Sequence, residues 1–256
     1  MWYLIKAYVK FLKTATNQHG VHSPFVFSFV TKCLYDRKKY TDYKLLQNYR
    51  NQLLRGDEVI EVTDFGAGSR VFKTNKREVK AIAKHAGASC KRMELIYRVV
   101  SYFKPKSILE IGTSVGLASS ALAMPKTGKL TSLEGCPETS EIARKHLLQS
   151  HISNADIIIG DFKETLPQVA NNNYDLIYFD GNHSKAATLE YFENLLTTAN
   201  NDSVWVFDDI YWSSQMTEAW EQIKNHPEVQ VTVDCFWLGF VFFRKEQAKE
   251  HFKIRL

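Results

Sequence analysis

Cysteine is scarce in this chain: Cys33, Cys90, Cys136 and Cys235 are the only four in 256 residues, and none forms a Cys-x-x-Cys pair. That excludes a disulfide framework or a paired-thiolate metal site and favours a reduced compartment. Long apolar runs are missing too, since nothing approaches the roughly 18 consecutive residues of a membrane-spanning helix. Residues 1–13 are apolar-rich, but Lys6 and Lys10 interrupt them and no small-residue cleavage site follows, so they do not read as a signal peptide. The expected place is therefore the cytoplasm, without stable membrane insertion. No internal repeat or low-complexity segment is visible.

What is present is ordinary and globular: 45% hydrophobic residues, 24% charged residues and a net charge of +5. One large α/β domain, with or without an N-terminal appendage, accounts for this length. The informative stretch is Ser107–Ala121. Ile108-Leu109-Glu110-Ile111 reads as a strand buried on both faces. Gly112-Thr113-Ser114-Val115-Gly116 follows as a loop whose glycines allow a tight turn and close backbone approach to a ligand. Leu117 to Met124 reads as a helix whose first turn would offer free N–H groups to an anionic or carboxylate-bearing ligand.

Alone, Gly-x-x-x-Gly is weak, because many α/β proteins carry it for packing. The next element strengthens it. A second strand, Leu130–Leu133, ends in Glu134, which lies 22 residues after Gly112. An acid about 20 residues beyond such a loop is placed to accept from ribose hydroxyls. A solvated strand-end carboxylate is the plain alternative.

Glu110-x-Gly112-x-x-x-Gly116, with Glu134, Gly160-Asp161-Phe162 and Phe179-Asp180-Gly181, resembles the class I S-adenosylmethionine-dependent methyltransferases. Among them it is most similar to small-molecule O-methyltransferases of the catechol type, from about Arg92 onward. The resemblance implies a Rossmann-like α/β fold with a seven-stranded sheet, mostly parallel with an antiparallel seventh strand, and an N-terminal helical appendage. It implies S-adenosylmethionine held by Glu110, Gly112, Thr113, Ser114, Gly116, Glu134, Gly160, Asp161, Phe162 and Asp180. Asp161 would accept from the adenine amine and Phe162 would line its ring. The absence of a third glycine in the loop counts against a nicotinamide cofactor.

The expected organisation is an appendage over 1–58, a lid or linker over 59–92, and the cofactor-binding domain over 93–256. Trp2, Ile5, Tyr8, Val9, Phe11 and Leu12 alternate with lysines at helical spacing. Such a helix docks on its own domain, on a partner subunit as in a homodimer, or on a membrane surface. Ser23 and Pro24 read as N-cap and first residue of a helix through Leu34. His19 and His22 lack a third metal ligand nearby, so a capping loop or lid is expected there. Tyr40–Leu54 reads as another helix.

Val59–Thr63 followed by Asp64-x-Gly66-x-Gly68 imitates the cofactor loop, but no second strand ending in an acid follows, so it is read as a lid or substrate loop. Residues 70–106 hold eleven Lys or Arg against Glu78 and Glu94. That is a solvated helix face, or a surface attracting nucleic acid or an anionic substrate.

Further strands are expected at Ala155–Ile159, Tyr174–Phe179 and Ser203–Phe207, then a hairpin of Val229–Val233 and Phe236–Phe243. Ligands of open α/β sheets bind beyond the carboxyl ends of the strands. Asp180, Asp208 and Asp209 fall there, where catechol-type enzymes place Asp, Asp and Asn around magnesium; Asp209 departs from that pattern. A Mg2+ site of these three oxygen donors is one expectation, and a site without metal stays open. The base of the resembled enzymes, a lysine three residues after the fourth-strand Asp, is replaced by His183. A histidine accepts a proton near neutral pH; a cap on the following helix is the plain alternative for His183. Lys185 is a second candidate base, and Tyr211 and Trp212 are candidate pocket walls.

The functional expectation is methyl transfer to a hydroxyl of a small molecule, with Asp180 and His183 carrying the chemistry. A nucleic-acid methyltransferase is the alternative, but Asp180-Gly181-Asn182-His183 lacks the Pro-Pro-aromatic motif of base-amino methylation. Cys136 is likewise not placed as a cytosine-attacking nucleophile. A non-catalytic cofactor-binding protein is the third reading.

Overall fold

The computed structural model describes residues 2–63 and 74–256. The glycine loop Asp64–Ser69 lies outside the described residues. In chain order the elements begin with α1 (Trp2–Thr14), α2 (Pro24–Phe29), α3 (Asp42–Arg55), β1 (Val59–Glu61), β2 (Lys76–Glu78), α4 (Val79–His85) and α5 (Cys90–Phe103). They continue with β3 (Ser107–Ile111), α6 (Leu117–Ala123), β4 (Lys129–Glu134), α7 (Pro137–Gln149), β5 (Ala155–Ile159) and α8 (Phe162–Val169). The last third holds β6 (Leu176–Phe179), α9 (Lys185–Leu195), β7 (Val204–Asp208), α10 (Ser214–Asn225), β8 (Val231–Asp234), β9 (Leu238–Phe242) and β10 (Glu250–Lys253). Two compact units emerge, Arg37–Val169 and Met1–Asp36 together with Ala170–Leu256.

In the Arg37–Val169 unit, β3 pairs in parallel with β4, and β4 with β5. Ile108, Leu109 and Ile111 are wholly buried, as a strand covered on both faces requires. Ser89 starts α5 by accepting from the Arg92 N–H, and Lys104 ends it in the left-handed region at φ 52°. The buried stripe Met93, Ile96, Tyr97 and Val100 has helical period. Helix α3 buries Leu46, Tyr49 and Leu53 and packs against α4, α5 and α6. It is part of this unit. Val59–Glu61 is indeed a strand, but it pairs antiparallel with β2 in a separate small sheet.

In the other unit β6 and β7 are parallel, and β9 lies antiparallel between β7 and β8. This is the expected hairpin, with its second strand inserted. Strand β10 pairs in parallel with β8, so this unit has five strands and, with β3, β4 and β5 of the other, the described residues hold eight besides the β1–β2 pair, not the seven expected. The sequence hid β10 because Glu250-His251-Phe252-Lys253 is a polar edge strand with one buried residue, Phe252. Ser23 caps α2 through the Val26 N–H, Pro24 is its first residue, and a π-helical turn extends it to Leu34. Phe29 seats α2 edge-on against Phe240 and Phe242 of β9. Among the described residues no helix is long and apolar enough to cross a membrane.

Candidate active site

The turn after β3 needs left-handed backbone at Gly112 (φ 99°), Ser114 (φ 50°) and Gly116 (φ 80°). The Gly112 N–H donates to Leu133 O at 2.9 Å, tying the loop to the neighbouring strand. The Ser114 N–H donates to Glu134 Oε2 at 2.6 Å, and Glu134 Oε1 accepts from the Cys136 N–H at 2.9 Å. Burial raises the Glu134 pKa, and the hydrogen bonds from the Cys136 and Ser114 amides oppose that rise. The Gly160 N–H donates to Glu134 O at 2.9 Å, so the carboxyl ends of β3, β4 and β5 meet at this one residue. Glu134 is therefore a latch as well as a strand-end acid.

Gly160 (φ 148°) leads into Asp161, whose Oδ1 accepts from the Lys163 N–H at 3.0 Å. The Asp161 carbonyl accepts from the Thr165 N–H, so the residue starts α8. Phe162 is the first residue of that helix.

Glu110 is fully buried. Its Oε2 accepts from the Ser119 and Ser132 hydroxyls, both at 2.5 Å. Ser132 Oγ also meets Thr113 Oγ1 at 2.5 Å, which links the carboxyl to the loop. Oε1 has no partner among the described residues. Burial, helped by the nearby Glu134, pushes the Glu110 pKa up to about 7, against the two hydroxyl bonds.

Gly116 is closely packed. A Cβ there would lie 2.4 Å from the Tyr49 hydroxyl and 3.1 Å from the Ala143 Cβ. The close approach it permits is to Tyr49 of α3, which donates to Val115 O at 3.0 Å. Tyr49 was missed in the sequence; its only signal was a place on the buried stripe with Leu46 and Leu53.

The remaining site residues lie at the ends of β6 and β7. His183 Nε2 is 3.6 Å from Asp180 Oδ1, too long for a hydrogen bond but close enough for charge to act. Its ring stands 6.0 Å from that of Trp212. His183 does not cap α9; the Ser184 hydroxyl does, accepting from the Ala187 N–H. Lys185 is paired with Glu218 at 2.9 Å. A small cavity is lined by Phe179, Gly181, His183, Thr188, Tyr191 and Asp208, among others. Tyr211 is no pocket wall: its hydroxyl donates to Asp234 Oδ2 and its ring stacks on Phe236 in the core.

The three expected magnesium ligands fit poorly. Asp208 is buried, its Oδ2 accepts from the Tyr178 hydroxyl and its Oδ1 from the Asp209 N–H, both at 2.7 Å. Asp209 sits at φ 51° with its N–H also directed at Trp237 O. Among the described residues no group of three or more His, Cys, Asp or Glu side chains is disposed to hold a metal ion. A hard cation takes carboxylate oxygens that can turn to it, and Asp208 is buried with the orientation of its carboxylate held by a donor at each oxygen. The cofactor half fits better, with its left-handed loop, strand-end acid and one orphaned carboxyl oxygen beneath.

Known proteins resemble this chain over a stretch that includes both halves of the site. The family described as "Methyltransferase domain" matches residues 109–210. A catechol O-methyltransferase of Niastella koreensis is 31% identical over 131 residues, covering 49% of this chain and 57% of that protein. One of Mycobacterium tuberculosis is 28% identical over 108 residues, covering 41% and 48%. The chain thus spans about half the length of the curated relatives it matches. Among solved structures, an S-adenosylhomocysteine-bound methyltransferase of Podospora anserina superposes with TM-score 0.62 at 14% identity, covering 87% of this chain and 97% of that one. The O-methyltransferase TomG of Streptomyces achromogenes, in complex with S-adenosylmethionine, gives 0.53 at 18% identity, covering 62% and 82%. At such identities the likeness establishes the fold, which is the Rossmann-like methyltransferase fold.

Proposed function

We propose that this methyltransferase-domain chain binds S-adenosylmethionine and transfers its methyl group to a hydroxyl of a small molecule. The observation that carries the reading is the meeting of three strand ends at Glu134, with the 2.6 Å bond from the Ser114 N–H closing the loop. When bound, the cofactor supplies an electrophilic methyl on a sulfonium. Glu134 keeps lone pairs beyond those used by the amides and accepts from the ribose hydroxyls. The turn through Gly112, Thr113 and Ser114, left-handed at Gly112 and Ser114, would hold the amino-acid portion, and Asp161 and Phe162 would serve the adenine. Asp180 contributes to the cofactor's polar end and faces His183.

His183 would take the acceptor's hydroxyl proton and so free its oxygen for the methyl group that the bound cofactor would supply. Asp180, 3.6 Å away, stabilises the imidazolium that results. No step is routed through a metal. The test is a calorimetric titration of S-adenosylhomocysteine into the protein and into Glu134→Ala. The expected result is saturable binding weakened by about 1–3 kcal/mol in the variant, the cost of polar partners left unmet. No binding to the unsubstituted chain would overturn the reading.

A further inference from the structure

Helix α1 meets the rest of its unit along one side only. Phe11 is buried against the rings of Tyr211 and Phe236, and the Tyr3 hydroxyl donates to Thr217 Oγ1 at 2.6 Å. These contacts set the rotation of the helix. Trp2, Ile5 and Val9 then point outward, at 77%, 49% and 46% exposure. Their spacing places them on one stripe of the helix. Tyr8, Trp237 and Leu256 are exposed large apolar residues as well, and Tyr8 and Trp237 both pack on Phe236.

Charge borders this stripe on one side. Lys6, Lys10 and Lys13 are exposed on the adjoining arc, and α1 contains no acidic residue. Past its end, Thr16 bridges to Ile254, which brings Lys253 and Arg255 alongside. Helix α10, which Tyr3 touches, does not neutralise them: Glu218 is paired with Lys185, and Glu221 with Lys224.

We propose that the outward face of α1 is a docking surface for an anionic phospholipid membrane. A tryptophan and two aliphatic side chains enter the headgroup boundary while the flanking lysines meet the lipid phosphates, the arrangement of an interfacial helix. Charge decides against a second copy of the chain. A helix with three lysines and no acid, paired with its own copy, sets like charges together without a partner for either.

The test uses the full chain, sedimented with vesicles of phosphatidylcholine alone or with roughly one third phosphatidylglycerol. Retention on the anionic vesicles is expected at least about tenfold above the neutral ones, falling as salt rises. Ile5→Asp with Val9→Asp, and separately Lys6→Glu with Lys10→Glu, should each cut retention by about tenfold or more. All four positions are exposed, so the circular dichroism and melting temperature should stay unchanged. Equal retention on both vesicle types, or retention indifferent to the lysine reversals, overturns the proposal. So does a monomer–dimer equilibrium in analytical ultracentrifugation that Ile5→Asp abolishes while vesicles retain nothing; the face would then join copies of the chain. Absence of both retention and self-association overturns it equally.

Discussion

Glu110→Gln tests the electrostatics beneath the cofactor loop. Burial holds the folded carboxyl at about 7 against an ordinary 4.5, a rise of about 2.5 units. The fold therefore favours the protonated form. Below the unfolded value both states are protonated and the stability is fully present. As pH rises towards 7 the unfolded chain releases its proton first, so stability falls. Above 7 the loss is complete, and at about 1.4 kcal/mol per unit it amounts to about 3 kcal/mol. Glutamine keeps the shape and one oxygen that accepts from Ser119 or Ser132, but it does not titrate. Urea unfolding of both proteins across about pH 4 to 8, which spans the shift from 4.5 to about 7, gives a difference curve in which unrelated titrations cancel. The variant should gain about 3 kcal/mol relative to the parent across that window. A flat difference curve would refute the assignment of a desolvated, uncompensated carboxyl.

Two further perturbations address the loop and the base. Tyr49→Phe leaves the Val115 carbonyl without its buried donor and should cost about 1–2 kcal/mol in urea unfolding. Gly116→Ala should cost more, since its Cβ meets the Tyr49 hydroxyl at 2.4 Å and its φ is 80°. Because they share that one atom, the double variant should cost less than the sum, and strict additivity would refute the contact. His183→Asn should lower kcat by about 10²–10⁴ with any acceptor the enzyme turns over, while S-adenosylhomocysteine affinity stays unchanged. A kcat within a few-fold of the parent would remove His183 from the chemistry.

Local rules accounted for much of the molecule. Ser23-Pro24 starts a helix where expected, the apolar run Ile108–Ile111 is a buried strand, and the hairpin after Gln230 forms with its second strand antiparallel. The cofactor half was legible because its parts follow one another at set intervals: strand, glycine loop, strand, acid. Glu134 and Ser114 needed only that order to be foreseen near each other. Tertiary structure alone decided the rest, wherever a side chain's role depends on residues far away in the chain. It assigned α3 to the cofactor-loop unit through Tyr49, whose partner is 66 positions on. It enclosed Glu110 between Ser119 and Ser132, and it gave both oxygens of Asp208 to Tyr178 and Asp209. A carboxylate in the sequence has lone pairs to offer, and only the folded chain determines which donors reach them first.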